Sequence, residues 1–295
     1  MRSRWIGGVI LLFAGVEPEA SGQEGRQTPP VADLAGLVKQ ARADFKQASK
    51  EFGDKIRGIT DSVEQTRMMF EESPRAEDCL QRFLPALEAA PKDPAALPAL
   101  VWAAQQQVAA DSQRRVLSLL IQHHVDSDQI VQITDRLFPT LEAVRFLQGV
   151  IDESTVRVNR GAASYGLAEV LGLQVDLVRI GPAMNDMMDP SLHEAYMREL
   201  GVMMGETLPW VLKADPEALD ARRRQLLQSV IDDYGDVTAG FVVLGEAARA
   251  DLEELATLNI GMAAPEIVGT DIDGVRFKLS DYKGKVVVLD FWGDW

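Results

Sequence analysis

Few side chains in this 295-residue chain are of types that do covalent or metal chemistry. There is one cysteine, Cys79, and the three histidines are His123, His124 and His193. A single thiol forms no disulfide within the chain and builds no multi-cysteine metal site. His123 and His124 are adjacent, and neighbours on a helix face different ways, so the pair does not chelate one ion. These counts imply no metal site and no cofactor. Cys79 follows Glu77 and Asp78 on an apolar helical stretch. Nearby carboxylates raise a thiol pKa, so the expectation is a small core residue, not a nucleophile. Asp271-Ile272-Asp273-Gly274 has only the outline of a calcium loop, because the third acid and the glycine at loop position six are out of place. The run GAASYG, Gly161 to Gly166, is one residue too long for a Gly-x-Ser-x-Gly nucleophile elbow. Met184, Met187, Met188, Met203 and Met204 form a loose cluster of the kind that packs cores or partner surfaces. Asp290 stands apart, inside VVVLDFWGDW, Val286 to Trp295. It either faces solvent or is buried for a reason, and in so apolar a run burial is the expectation.

The elements that must position these groups fall into three stretches. Composition sets the frame. Hydrophobic residues make up 46% and charged residues 25%, and the net charge is −15 from 45 acids against 30 bases. Such an acidic surface repels phosphate backbones and anionic membranes, which argues against nucleic acid as a partner.

The first stretch reads as an export signal over residues 1–22. Arg2 and Arg4 precede the apolar run Trp5–Val16, which is too short to span a bilayer, and Ala20-Ser21-Gly22 offers small residues for cleavage. The alternative is a buried N-terminal strand or helix. With the signal removed, no stable membrane span is expected, and the protein would work in the periplasm or cell envelope. Residues 23–31 are polar, Pro-bearing and linker-like.

The second stretch, 32–258, is helical throughout. Leu34, Leu37, Val38, Ala41, Phe45, Ala48 and Phe52 recur at spacings of three and four, one apolar stripe of a long helix that Gly53 ends or weakens. Further helices are expected over 79–87, 95–110, 116–124, 139–150, 159–171, 192–204, 216–234 and 239–258. Another should start at Ser127, whose hydroxyl is an N-cap, with Ile130, Ile133 and Leu137 on its apolar side. The small residues Gly161, Ala162 and Ala163 allow close helix approach. The spacing fits helical hairpins in a solenoid, tetratricopeptide-like in two places, and it fits a plain bundle equally; no full repeat signature appears.

The third stretch, 259–295, changes grammar. Asp273-Gly274 between VGTDI and VRFKL signals a hairpin, Val275, Phe277 and Leu279 alternate with polar residues, and Lys283-Gly284-Lys285 is a turn. Val286–Trp292 is apolar on both faces, as in a strand buried from both sides. Gly261, Ala264 and Pro265, then Leu279-Ser280-Asp281-Tyr282-Lys283-Gly284-Lys285, then Phe291-Trp292-Gly293-Asp294-Trp295 follow one another in order and spacing. In this the segment resembles the opening of thioredoxin-fold domains of the TlpA/ResA and AhpC/TSA type. The fold class expected is therefore mainly α, followed by an incomplete α/β thioredoxin-fold fragment: a β-hairpin plus a core strand.

The resemblance implies an exported thiol–disulfide oxidoreductase or peroxiredoxin-like antioxidant function. Its partners would be a protein thiol or disulfide and a thioredoxin-like electron donor. Asp290, Phe291, Trp292 and Trp295 would adjoin the active site, with Asp290 where thioredoxin has a buried proton-relaying acid; TlpA-like relatives often carry Asn there. The family's nucleophilic cysteine would be the next residue, so no catalytic residue lies in this chain, and the chain as it stands should be inactive. A UGA selenocysteine codon read as stop would explain that coincidence, as would a nonsense mutation or a sequencing error. The competing expectation is a non-enzymatic helical interaction protein with a vestigial redox tail.

Overall fold

The computed structural model describes residues 33–187, 190–258 and 262–289. The expected signal peptide and linker, with Gly261, Asp290, Phe291, Trp292 and Trp295, lie outside the described residues. Side chains of 180, 182–187 and 191 are likewise outside, so Met184, Met187 and Met188 are not placed.

Twelve α-helices are described, in chain order α1 (Leu34–Ile56), α2 (Ser62–Glu72), α3 (Ala76–Gln81), α4 (Leu84–Ala89), α5 (Ala96–Ala104) and α6 (Ala110–His124), then α7 (Leu141–Glu153), α8 (Arg157–Met187), α9 (Pro190–Met204), α10 (Thr207–Val211), α11 (Pro216–Tyr234) and α12 (Leu244–Thr257). Two antiparallel hairpins join them: β1 (Thr238–Ala239) with β2 (Val242–Val243), and β3 (Val268–Thr270) with β4 (Arg276–Lys278). The mainly helical architecture with a small β fragment at the end is as the sequence implies.

At α1, α2, α7 and α11 a side-chain oxygen starts the helix where the backbone N–H groups lack partners. Asp33 accepts from Gly36 N at 2.9 Å, Asp61 from Glu64 N at 2.9 Å and Asp215 from Glu217 N at 3.0 Å. Thr140 caps α7 through Ala143 N at 3.1 Å, and its hydroxyl donates to the buried Gln113 carbonyl at 2.5 Å. α1 runs through Gly53 to Ile56: one glycine costs only about 1 kcal/mol in a helix this long. Ser127 is an N-cap as expected, accepting from Gln129 N at 3.2 Å, but it opens a 3-10 helix, Asp128–Gln132. The stretch expected as helix from Ala239 begins instead with the β1–β2 hairpin. Two-residue strands are too short to show a period of two, so the pattern hid them.

From α5 to α8 each helix packs on the next, in the manner of a solenoid. α8, 31 residues long, then becomes a spine that also receives α11, α10 and the Asp128–Gln132 turn. Small residues permit this. A Cβ on Gly166 would sit 2.2 Å from the Thr134 carbonyl oxygen, and one on Gly161 would press on Leu244 and Tyr234. The largest apolar cluster joins α1 and α3–α7 to the start of α8, with Phe83, Leu84, Leu87, Leu100, Leu120 and Leu147 fully buried. A second gathers Phe70 of α2 with Tyr196, Leu200, Met203 and Met204 of α9; Phe70 and Tyr196 meet edge to face at 6.4 Å. Met203 and Met204 thus pack a core, one of the two roles their type suggests.

The contacts divide the chain into two compact units, with Ala248 closing the first and Arg249 opening the second. In the second unit the apolar run expected as a strand is unpaired over its described part. Val286, Val287, Val288 and Leu289 are 97%, 41%, 88% and 49% exposed. A strand exists by its ladder of inter-strand hydrogen bonds, and among the described residues no neighbour supplies one.

Candidate functional site

The candidate site is the hairpin segment of the second unit, Met262–Leu289. Its turn is built by one acid. Asp271 accepts from Asp273 N at 3.0 Å and Val275 N at 2.8 Å through the same carboxylate oxygen. Gly274 closes the turn at φ 81°, a left-handed conformation that side chains with a Cβ resist. One carboxylate oxygen of Asp271 thereby holds the turn together.

The register pairs Val268 with Lys278, Gly269 with Phe277 and Thr270 with Arg276. The Phe277 ring lies over Gly269, where a Cβ would fall 2.7 Å from the ring. Leu279 N donates to Ile267 O at 2.9 Å and carries the pairing into the 3-10 helix Leu279–Tyr282. Two acids then clasp the turn. Glu266 accepts from Ser280 N at 3.0 Å, and Asp281 accepts from Lys278 N at 2.9 Å. Bonding from Ser280, by side chain and then backbone, holds the Glu266 carboxyl below its usual range. Gly284 sits at φ 84° and Lys285 N donates back to Tyr282 O at 3.0 Å, so Lys283-Gly284-Lys285 is the expected turn. The Lys285 ammonium lies 5.8 Å from the Tyr282 ring centre.

Among the motif residues, Ala264 and Pro265 lie on the exposed approach to β3, and Gly284 and Lys285 on the exposed turn. Glu266 and Gly269 were not singled out from the sequence, and Phe277 was marked there only by its alternation with polar neighbours. Glu266 directly follows the Ala264-Pro265 pair, but its Ser280 partner lies 14 residues away and no local spacing links them. The segment holds no cysteine and no histidine.

The remaining candidates lie in the first unit. Cys79 is buried, and burial above all pushes its thiol up to about 11. The neighbouring acids are not the cause: Glu77 accepts from Ala109 N at 2.9 Å and Ser112 Oγ at 2.7 Å. Arg82 and Arg42 pull the thiol down, and Asp44 pushes it up. His124 Nε2 is 2.7 Å from the Pro91 carbonyl oxygen, a structural contact. Among the described residues no cluster of His, Cys, Asp and Glu could hold a metal ion. Gly161–Gly166 is interior to α8, where packing accounts for it. No helix among the described residues is long and apolar enough to cross a membrane.

Short stretches of the chain are similar to curated thiol–disulfide oxidoreductases. ResA of Bacillus thuringiensis subsp. konkukian is 50% identical over 38 residues, which is 13% of this chain and 22% of that protein. ResA of Geobacillus kaustophilus is 48% identical over 42 residues, 14% and 24% of the two chains. ResA of Bacillus subtilis is 49% identical over 39 residues, 13% and 22%. The chain therefore spans about a quarter or less of the length of these relatives. No family model matches, and no solved structure matches.

Proposed function

We propose that Gly261–Trp295 is the front of a thiol–disulfide oxidoreductase domain, borne on a helical array that docks a substrate or partner protein. The observation that carries this is the match of about half identity to three ResA proteins, of the length of this segment. Its context supports it: the motif glycine and lysine of the Lys283–Lys285 turn sit behind a clasped hairpin that leads straight into an unpaired apolar run. On this reading Val286–Trp292 is a central strand of the whole domain, Asp290 is its buried proton relay, and Phe291, Trp292 and Trp295 wall the active site. The nucleophile, a cysteine or selenocysteine, comes from the residues that complete that domain. Substrates are protein thiols or disulfides, and the work is done outside the cytoplasm after export through residues 1–22.

The nucleophile's role sets the chemistry. A thiolate attacks a disulfide sulfur, the leaving thiolate takes a proton, and a second cysteine resolves the mixed disulfide. Nothing in this chain can attack in that way, since Cys79 is buried and held protonated.

The test is a chimera in which residues 259–295 replace the corresponding front of Bacillus subtilis ResA. A folded chimera that reduces a protein disulfide supports the reading, while the present chain alone turns none over. A folded chimera without turnover overturns it.

A further inference from the structure

A groove of about 730 Å³ lies between α1 and α5, wholly within the first unit. That is the size of a pocket for a drug-sized ligand or a few residues of peptide. Its apolar wall is Phe45, Pro98 and the half-buried Trp102, with Phe45 and Trp102 edge to face at 6.2 Å. Its rim is cationic. Lys39, Arg42 and Lys46 follow at spacings of three and four along α1, so they share one stripe of the helix. The Arg42 guanidinium lies over the Trp102 ring at 5.1 Å. No acid lines the groove. The one carboxylate close by in sequence, Asp44, is engaged by Arg82 at 2.8 Å and by Gln40 at 2.7 Å. Among the described residues none of the three rim cations is paired with a carboxylate.

This is an unusual surface for a chain of net charge −15. Here an acidic ligand meets Lys39, Lys46 and the Trp102-stacked Arg42 beside an aromatic wall. We propose that the α1–α5 groove binds an acidic peptide segment of a partner protein, its carboxylates on Lys39, Arg42 and Lys46 and an apolar side chain against Trp102. The proposal rests on the docking role of the helical array and names the partner's chemistry. Charge on the rim steers encounter and excludes basic segments, while the apolar anchor supplies residence.

The experiment uses the full chain and a fluorescein-labelled Glu-Asp-Phe-Glu-Glu-Leu-Asp-Phe peptide, read by anisotropy at low ionic strength. Saturable binding is expected. It should weaken about tenfold or more in K39E/K46E, whose exposed side chains leave the core intact, and should be lost in A43W, which fills the groove. A variant peptide with lysines for its acids should not bind, and one with glycines for Phe and Leu should bind about tenfold more weakly. Unchanged affinity in K39E/K46E, or equal affinity for single-stranded oligo-dT, overturns the proposal. So does a rise of about tenfold on substituting the chain's own Glu17, Glu19 and Glu24 with glutamine, which would make its own N-terminal segment the occupant. If a neutral Gln-for-Glu peptide binds as well and A43W still blocks it, the docking role stands and the acidic partner falls. If no peptide binds, both fall.

Discussion

At the scale of single residues, the buried groups that matter were the ones the sequence could not pair. Cys79 was legible as inert, but through the wrong cause: the adjacent Glu77 accepts from Ser112 and from Ala109 N at the start of α6, and burial holds the proton. A thiol near pKa 11 is thiolate in only about one part in a thousand at pH 8. Ellman's reagent at pH 8 should therefore label the native chain about 100-fold more slowly than the chain in urea. Fast native labelling would mean that this corner of the core opens readily. The Arg75–Glu199 pair was invisible, since its members lie 124 residues apart. They meet at 3.1 Å with side chains 18% and 8% exposed. Burial pushes the Glu199 carboxyl up, against Arg75 and then Arg198, which pull it down. A raised carboxyl keeps its stabilising contribution at low pH and loses it as pH rises through the folded value. Denaturant melts should show the parent losing stability relative to E199Q from pH 4.5 upward. Removing the other partner in R75A leaves a buried carboxylate alone and should cost about 3 kcal/mol at neutral pH. A pH-independent gap between parent and E199Q would contradict the burial argument.

At the scale of elements, α1 and α11 were readable, but α8 runs from Arg157 to Met187 where a helix was expected only over 159–171, α2 was not foreseen, and the shortest elements were missed. α11 spans Pro216–Tyr234, the range its pattern implies, because Asp215 caps it and Pro216 is pre-set for the first turn. The β1–β2 hairpin and the Asp128–Gln132 turn carry too few residues for a period to register. The glycines of the helices separate into two kinds, which the sequence does not distinguish. Gly166 faces the Thr134 backbone, whereas a Cβ on Gly201 of α9 would meet nothing within 4 Å. Gly166→Ala should therefore destabilise by about 2–3 kcal/mol, since backbone must move to admit the methyl. Gly201→Ala should stabilise by about 0.5–1 kcal/mol through helix propensity alone. Chemical denaturation of both variants checks this, and equal effects would mean that α8 does not approach the Thr134 turn so closely.

At the scale of the whole molecule, the two units differ in how far each is closed on itself. The first buries apolar clusters of its own, among them those built on Leu120, on Met204 and on Val175. The second is a clasped hairpin whose apolar run, Val286 to Leu289, is open to solvent. The resemblance reads the run as a central strand. What it could not show is that a strand without neighbours has no ladder to hold it, however apolar it is. Amide exchange reads this directly. In the present chain, Val286–Leu289 should exchange near the intrinsic rate, while the Leu167–Leu171 core of α8 exchanges only on larger opening. Joined to the remainder of Bacillus subtilis ResA, the same four amides should slow about 100-fold or more, an opening cost of about 2.7 kcal/mol. The two measurements separate sequence preference from context, because the residues are identical in both. Slow exchange already in the present chain would mean that the run is paired within it, and the open-strand description would fail. Fast exchange in a folded chimera would mean that the run does not enter the sheet, and the oxidoreductase reading of the segment would fail with it.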